Sequence, residues 1–372
     1  MKMFTRYLEP QVRRDLKKKM VFIAGPRQVG KTTLAKQVLG ARSGGYLSWD
    51  VPEHRERILK GEFPASDPIA LDEIHKYRSW RSLVKGLFDR GTWKRILVTG
   101  SARLDLYRRG GDSLQGRYHF LRLFPLSCAE LRVRSSSDLL SLLELGGFPE
   151  PFFGSSQVDA RRWSREYRQR LVEGDVQSLE SVRDLGNLEL LMLRLPDLVG
   201  SPLSVNSLRE DLQVAHKTVA GWLGILERLY AIFLISPFGA PRLRAVRKAR
   251  KHYQIDWTLV EERGPRFENM VAVHLLKWVS WLADTEGRDV ELRYFRDVDG
   301  REVDFVLVER QRPMLMVETK WQDRPIERGI KYLKERFPAC PAWQISATGS
   351  KDYMSAEGIR VCPATVFLDT LV

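Results

Sequence analysis

Cysteine is scarce: Cys128, Cys340 and Cys362 are the three in a chain of 372 residues. They are too few and too scattered for a disulfide framework or a zinc site, and they suit a reducing compartment. Long hydrophobic runs are missing too. No apolar stretch approaches the roughly 18 residues of a membrane span. The charged N-terminal segment is followed only by the short apolar run Met20–Ala24, which is no signal core. The expected location is the cytoplasm, without a membrane partner or a targeting segment. Repeats and low-complexity tracts are absent as well, and a hydrophobic content of 43% with 29% charged residues excludes a disordered or fibrous chain.

Acidic residues fall short of basic ones, 47 against 61, leaving a net charge of +14. The pI near 9.7 points to polyanions as partners. The shortage is uneven: residues 1–150 carry 28 basic and 16 acidic side chains, residues 151–262 carry 16 and 14, and residues 263–372 carry 17 of each. The length suits two to three domains, and the charge marks the first as the one that faces phosphates, unless the surplus is only a solvated basic surface.

The strongest motif lies in that first module. Gly25-Pro-Arg-Gln28-Val29-Gly30-Lys31-Thr32 fits the phosphate-loop pattern in full, after the strand-like run Met20–Ala24 and before a helical Thr33–Leu39 closed by Gly40. Glycines let backbone N–H groups wrap phosphates at the positive end of the helix. Gly25, Gln28, Val29, Gly30, Lys31, Thr32 and Thr33 are the expected nucleotide-binding residues. Lys31 reaches the β and γ phosphates of ATP, and Thr32 ligates Mg²⁺. A second strand, Pro68-Ile-Ala-Leu-Asp72-Glu73, ends in two acids. Asp72 is expected to hold the magnesium through water, and Glu73 to polarise the attacking water. A third strand, Arg95–Gly100, runs into Ser101. There Thr99 or Ser101 either senses the γ-phosphate or simply caps a helix. Arg117, after Gly116, follows in the order expected of an arginine that reaches a neighbouring subunit's nucleotide, although a surface arginine would look the same.

Taken together, R-Q-V-G-K-T-T (27–33), L-D-E-I (71–74), V-T-G-S-A (98–102), L-Q-G-R-Y (114–118) and F-P-L-S-C-A-E-L (124–131) resemble the prokaryotic AAA-type ATPases in which the P-loop domain precedes a winged helix and a restriction-endonuclease-like domain. His75 departs from the family, which more often has Gln after L-D-E-I. The resemblance implies an α/β chain of three domains: an AAA-type P-loop ATPase domain at 1–150, a small helical and winged-helix domain at 151–262, and an α/β restriction-endonuclease-like domain at 263–372. It also implies ATP hydrolysis with Mg²⁺ and a homo-oligomer such as a hexameric ring.

The residues of the later segments carry their own signals. Leu203–Leu212, a short turn, Lys217–Leu229 and the strand-like Tyr230–Ile235 follow the helix–turn–helix–strand order of a winged helix. The sequence leaves open whether it reads DNA or only packs. The run 241–251 has six basic residues in eleven and is either a DNA phosphate contact or a solvated loop. In the C-terminal segment, Asp304 opens one strand and Glu318-Thr-Lys320 ends the next. Residues two apart on a strand share a face, so Glu318 and Lys320 point together and Asp304 can approach them. Two carboxylates hold Mg²⁺ while a lysine orients water. The set resembles the PD-(D/E)xK nuclease core, with Glu268 on the preceding helix matching a further metal ligand. The leading expectation is an ATP-hydrolysing, DNA-acting ATPase with a nuclease-like domain; the alternative is a nucleotide switch that regulates a protein and uses its C-terminal domain for docking.

Overall fold

The computed structural model describes residues 4–40, 43–91, 95–100, 114–172, 184–239 and 250–372. The chain divides into two compact units, one of Met1–Phe124 with Asp284–Glu286, the other of Pro125–Ala283 with Gly287–Val372.

The first unit is built on a five-stranded parallel sheet: β1 (Met20–Ala24), β2 (Tyr46–Ser48), β3 (Ile69–Asp72), β4 (Ile96–Thr99) and β5 (Tyr118–Arg122), in the order β2-β3-β4-β1-β5. Every residue of β1, β3 and β4 is buried, as expected for central strands of a parallel sheet covered on both faces. That is why these strands read as unbroken apolar runs. Phe22 stacks on Tyr118 at 4.3 Å between ring centroids and tilts against Trp80, filling a core shared with Leu71, Ile74, Val84 and Val98. Among the described residues, four α-helices flank the sheet: α1 (Glu9–Asp15), α2 (Lys31–Leu39), α3 (Pro52–Lys60) and α4 (Trp80–Asp89).

The topology places β4 between β1 and β3, with Thr99 in register with Ile23 on one side and Asp72 on the other. The C-terminal ends of all five strands lie at one edge. In open α/β sheets that edge is where ligands bind. The phosphate loop, the two acids and Thr99 all sit there.

The second unit combines helices with an eight-stranded sheet in the order β12-β13-β11-β10-β9-β8-β6-β7. Its strands are β6 (Ile232–Pro237), β7 (Lys251–Gln254), β8 (Val290–Arg296), β9 (Glu302–Glu309), β10 (Arg312–Lys320), β11 (Ala342–Ser346), β12 (Tyr353–Met354) and β13 (Ile359–Pro363). The helix–turn–helix–strand order appears as Val205–Asp211, His216–Arg228 and β6. Val219, Trp222, Leu223 and Leu226 form the buried face of its second helix, while Lys217 and Gly221 are exposed. β6 is shared between two pairings. It pairs with β7 and also, in parallel, with β8 through Ser236 and Pro237. The hairpin expected at Asp299-Gly300 joins β8 to β9, and Gly300 takes a positive φ of 75° in its turn. Among the described residues no helix is long and apolar enough to cross a membrane.

Candidate active site

The N-terminal site is assembled by three strand ends and one helix start. α2 begins at Lys31 after Gly30, whose φ of 101° no side-chain-bearing residue adopts readily, and no side chain caps the helix. Its first N–H groups therefore point at the loop, an arrangement suited to an anion. Gly25 is fixed by contact: a Cβ there would lie 2.1 Å from the Leu123 carbonyl oxygen. Gln28 turns through the left-handed region at φ 60°, and Val29 is fully buried. Thr33 is exposed in the first turn of α2.

Lys31 is 7% exposed, and its Nζ donates to the carbonyl oxygens of Gly25 at 3.0 Å and Pro26 at 2.6 Å. A buried ammonium held by loop carbonyls is positioned for phosphate oxygens. Thr32 Oγ1 donates to Asp72 Oδ2 at 2.8 Å, so the two expected magnesium ligands already meet. Thr99 Oγ1 donates to the other Asp72 oxygen at 2.6 Å. Thr99, the residue weighed against Ser101, thus holds the acid in place; Ser101 itself lies outside the described residues.

Glu73 follows Asp72 with a left-handed backbone (φ 54°), and its N–H donates to the Thr99 carbonyl at 2.9 Å. Its carboxylate lies 3.5 Å from Lys76 Nζ and 3.6 Å from His75 Nε2. Burial raises its pKa above the ordinary carboxylate value, against the pull of Lys76 and Lys31. The departure at His75 thus places an imidazole beside the acid.

Arg117 lies elsewhere. Its carbonyl accepts from the N–H of Met20, the first residue of β1, so it sits at the opposite edge of the sheet, paired with Asp89 at 2.9 Å. A strand of five residues separates the two edges by about 16 Å. Arg117 therefore stands at the edge of the sheet remote from the phosphate loop of its own chain.

Two residues of this site have no motif. Tyr46, at the start of β2, donates its hydroxyl to Asp72 Oδ2 at 2.5 Å, and burial together with Asp72 raises its pKa above the ordinary phenol value. Arg6, 4% exposed, donates from Nη1 to the Val29 carbonyl at 2.6 Å and from Nη2 to the Phe124 carbonyl. It fastens the phosphate loop from beneath. Around it, Arg13 donates to the carbonyls of Gln37 and Val38, and Gln37 donates to the Phe4 carbonyl, tying the N-terminal segment to α2.

In the C-terminal constellation Asp304, Glu318 and Lys320 come together. Asp304 stands near the start of β9 beside the end of β10, where the strands have ceased to pair through their backbones after Phe305–Val317. Asp304 Oδ2 accepts from the Thr319 N–H at 2.8 Å and its hydroxyl at 2.7 Å. Glu318 Oε1 accepts from Lys320 Nζ at 2.8 Å, and its Oε2 from the Asp304 N–H at 3.3 Å. Glu268 Oε1 accepts from the Tyr253 hydroxyl at 2.7 Å. Burial and the Asp304 charge push the Glu268 carboxyl up to about 7 and raise that of Glu318 strongly. Lys320 is raised despite its burial, because Glu318 holds it charged.

Lys251 departs from expectation. The sequence places it at the end of the basic phosphate-contacting run 241–251. Residues 241–249 lie outside the described residues, and Lys251 is a β7 residue only 1% exposed. It is ion-paired with Glu302 and lies 3.7 Å from Glu268. A lysine so enclosed by acids is not a phosphate contact. Among the described residues, no group of three or more His, Cys, Asp or Glu side chains is arranged to hold a metal ion.

Residues 17–132 match the family described as "AAA domain". The chain carries an AAA-type, ATPase-like domain. Residues 136–262 and 263–367 match two families described as domains of unknown function (DUF8612 and DUF4143). An uncharacterized protein of Mycobacterium tuberculosis is 27% identical over 91% of this chain and 83% of its own length. One from Methanocaldococcus jannaschii is 24% identical over 86% of this chain and 80% of its own. A solved signal-transduction ATPase with a tetratricopeptide-repeat sensor, from Pyrococcus horikoshii, aligns with 75% of this chain and 47% of its own at 12% identity, with a TM-score of 0.24. The chain spans about half the length of that structure.

Proposed function

We propose that the chain is a magnesium-dependent ATP hydrolase that acts on DNA as a motor or remodeller. The observation that carries hydrolysis is the meeting of Lys31, Thr32 and Asp72 at the ends of β1 and β3. An uncapped helix start, a loop closed by Gly25 and Gly30, and a buried ammonium facing carbonyl oxygens all fit a nucleotide phosphate chain. Thr32 and Asp72 would hold magnesium, which when bound offsets phosphate charge. Lys31 exchanges its bonds to Gly25 and Pro26 for phosphate oxygens. Glu73 orients a water and takes its proton, and Thr99 and Tyr46 keep the Asp72 carboxylate in register.

The finer parts of the reading rest on sequence. The basic surplus of residues 1–150 supports DNA as the partner. In this proposal residues 151–262 include a winged helix, residues 263–372 form a restriction-endonuclease-like module, and Arg117 completes a neighbouring subunit's site in a homo-oligomer. The test is ATP turnover with and without single-stranded, duplex and four-way-junction DNA, at two salt concentrations, with Lys31→Ala as the blank. Stimulation by one DNA form that weakens with salt is expected. Turnover indifferent to every DNA would replace this reading with the second: a nucleotide switch whose C-terminal module docks a protein. The ion pairing of Lys251 with the C-terminal carboxylates favours that second reading.

A further inference from the structure

If residues 263–372 form a restriction-endonuclease-like module, a divalent cation belongs among Glu268, Asp304 and Glu318. The surroundings of these carboxylates do not fit one. Lys251 Nζ is ion-paired with Glu302 and lies 3.7 Å from Glu268 Oε1, with the Tyr294 ring centroid 5.2 Å away. Asp304 Oδ2 is taken up by two donors of Thr319. The backbone of Gly200 closes over Glu268, because a Cβ there would lie 3.1 and 3.2 Å from the two carboxylate oxygens.

We infer that Lys251 takes the place of the divalent cation in this cluster, so that the C-terminal module keeps a nuclease-like arrangement without binding metal. The inference rests on the restriction-endonuclease-like reading proposed above. An ammonium fixed between Glu268 and Glu302 supplies the positive charge that buried carboxylates require. A metal ion entering there would stand beside that ammonium or displace it. Displacement would separate a lysine of 1% exposure from Glu268 and leave Glu302 as its one ion-pair partner among the described residues. Lys251 comes from β7, outside the segment that carries the motif, so the motif residues alone give no sign of it.

The experiment is Mn²⁺ binding to the full chain without nucleotide, followed by the electron paramagnetic resonance of the unbound ion, with thermal melts to establish folding. Wild type and Asp304→Asn should bind Mn²⁺ identically. Lys251→Met should gain one site with affinity raised about tenfold or more, and Lys251→Met combined with Asp304→Asn should lose it again. Mn²⁺ binding by wild type that disappears in Asp304→Asn overturns the inference and leaves the nuclease-like reading standing. A folded Lys251→Met that gains no Mn²⁺ site overturns both, since the carboxylates then form no cation site at all. Should Lys251→Met fail to fold, Lys251→Gln takes its place in the same comparison, and Mn²⁺ binding by wild type that Asp304→Asn abolishes overturns the inference in any case.

Discussion

Arg6 and Glu73 show how differently two residues of one site are written in the sequence. Glu73 follows an apolar strand and an aspartate, a local pattern visible before any fold is known. Arg6 bonds to carbonyls 23 and 118 residues away, and Tyr46 meets Asp72 across 26 residues. Only the packed sheet brings these partners together, so no spacing rule finds them. Lys251 misleads for the same reason: in sequence it ends a basic run, and its burial is set by Glu268 and Glu302, which arrive from a helix and from β9. Expectations follow at this scale for both Arg6 and Glu73. Arg6→Ala removes charged hydrogen bonds to two buried carbonyls and should cost about 2 kcal/mol of stability, with a raised KM for ATP. Arg6→Lys should not restore either, because one ammonium cannot span both carbonyls as the guanidinium fork does. In the proposed hydrolysis Glu73 must be ionised to accept a proton, and burial raises its pKa. Turnover should therefore fall as the pH drops through a value above the ordinary carboxylate range. Glu73→Gln should lower kcat about a hundredfold or more while ATP still binds. The same direction bears on stability: the folded state disfavours the charged carboxylate, so Glu73→Gln should melt above wild type at pH 8, and the difference should vanish below the ordinary carboxylate pKa.

Elements were legible where local pattern and tertiary role agree. The apolar runs of β1, β3 and β4 and the glycine-bounded α2 fall close to their expected positions, since a strand buried on both faces is continuous in sequence. β6 shows the limit. Its apolar pattern identifies a strand but not its neighbour, and in the fold it joins β8 of the C-terminal sheet. The helix Arg263–Glu286 is longer than the stretch 266–277 that its sequence marks as helical. It buries His274, whose Nε2 accepts from the Cys128 N–H at 3.0 Å while Nδ1 lies 2.8 Å from the Met270 carbonyl. On β7, His252 Nε2 lies 2.7 Å from the Leu195 carbonyl. Burial lowers both imidazoles from 6.5 to about 4. A histidine depressed in the folded state binds its proton more readily once unfolded. The second unit should thus hold its stability above pH 6.5 and lose up to about 3 kcal/mol per histidine as the pH falls towards 4. Melting temperatures across that range should show the acid slope, and His274→Gln should shallow it.

At the scale of the whole molecule, the charge is concentrated in residues 1–150, while the last 110 residues are balanced, with 17 charges of each sign. Composition made this visible at once; the use of the surplus is a property of the assembled surface and of its partners. The position of Arg117, at the far edge of the sheet from its own phosphate loop, gives the proposed oligomer a sharp test. Lys31→Ala and Arg117→Ala should each be inactive alone. Mixed, they should regain part of the turnover, because some interfaces then join an intact loop to an intact arginine. Mixtures that stay inactive would remove Arg117 from catalysis.

The hold of Arg6 on the carbonyl of Val29 also bears on how the ATPase-like domain can be excised. Its family match begins at residue 17, and a domain trimmed to that limit would discard Arg6, Tyr7 and all of α1. Such a fragment would retain the whole recognisable motif yet leave its loop without an underside. Weak nucleotide affinity in that fragment would then reflect where the gene was cut rather than the chemistry of the intact protein.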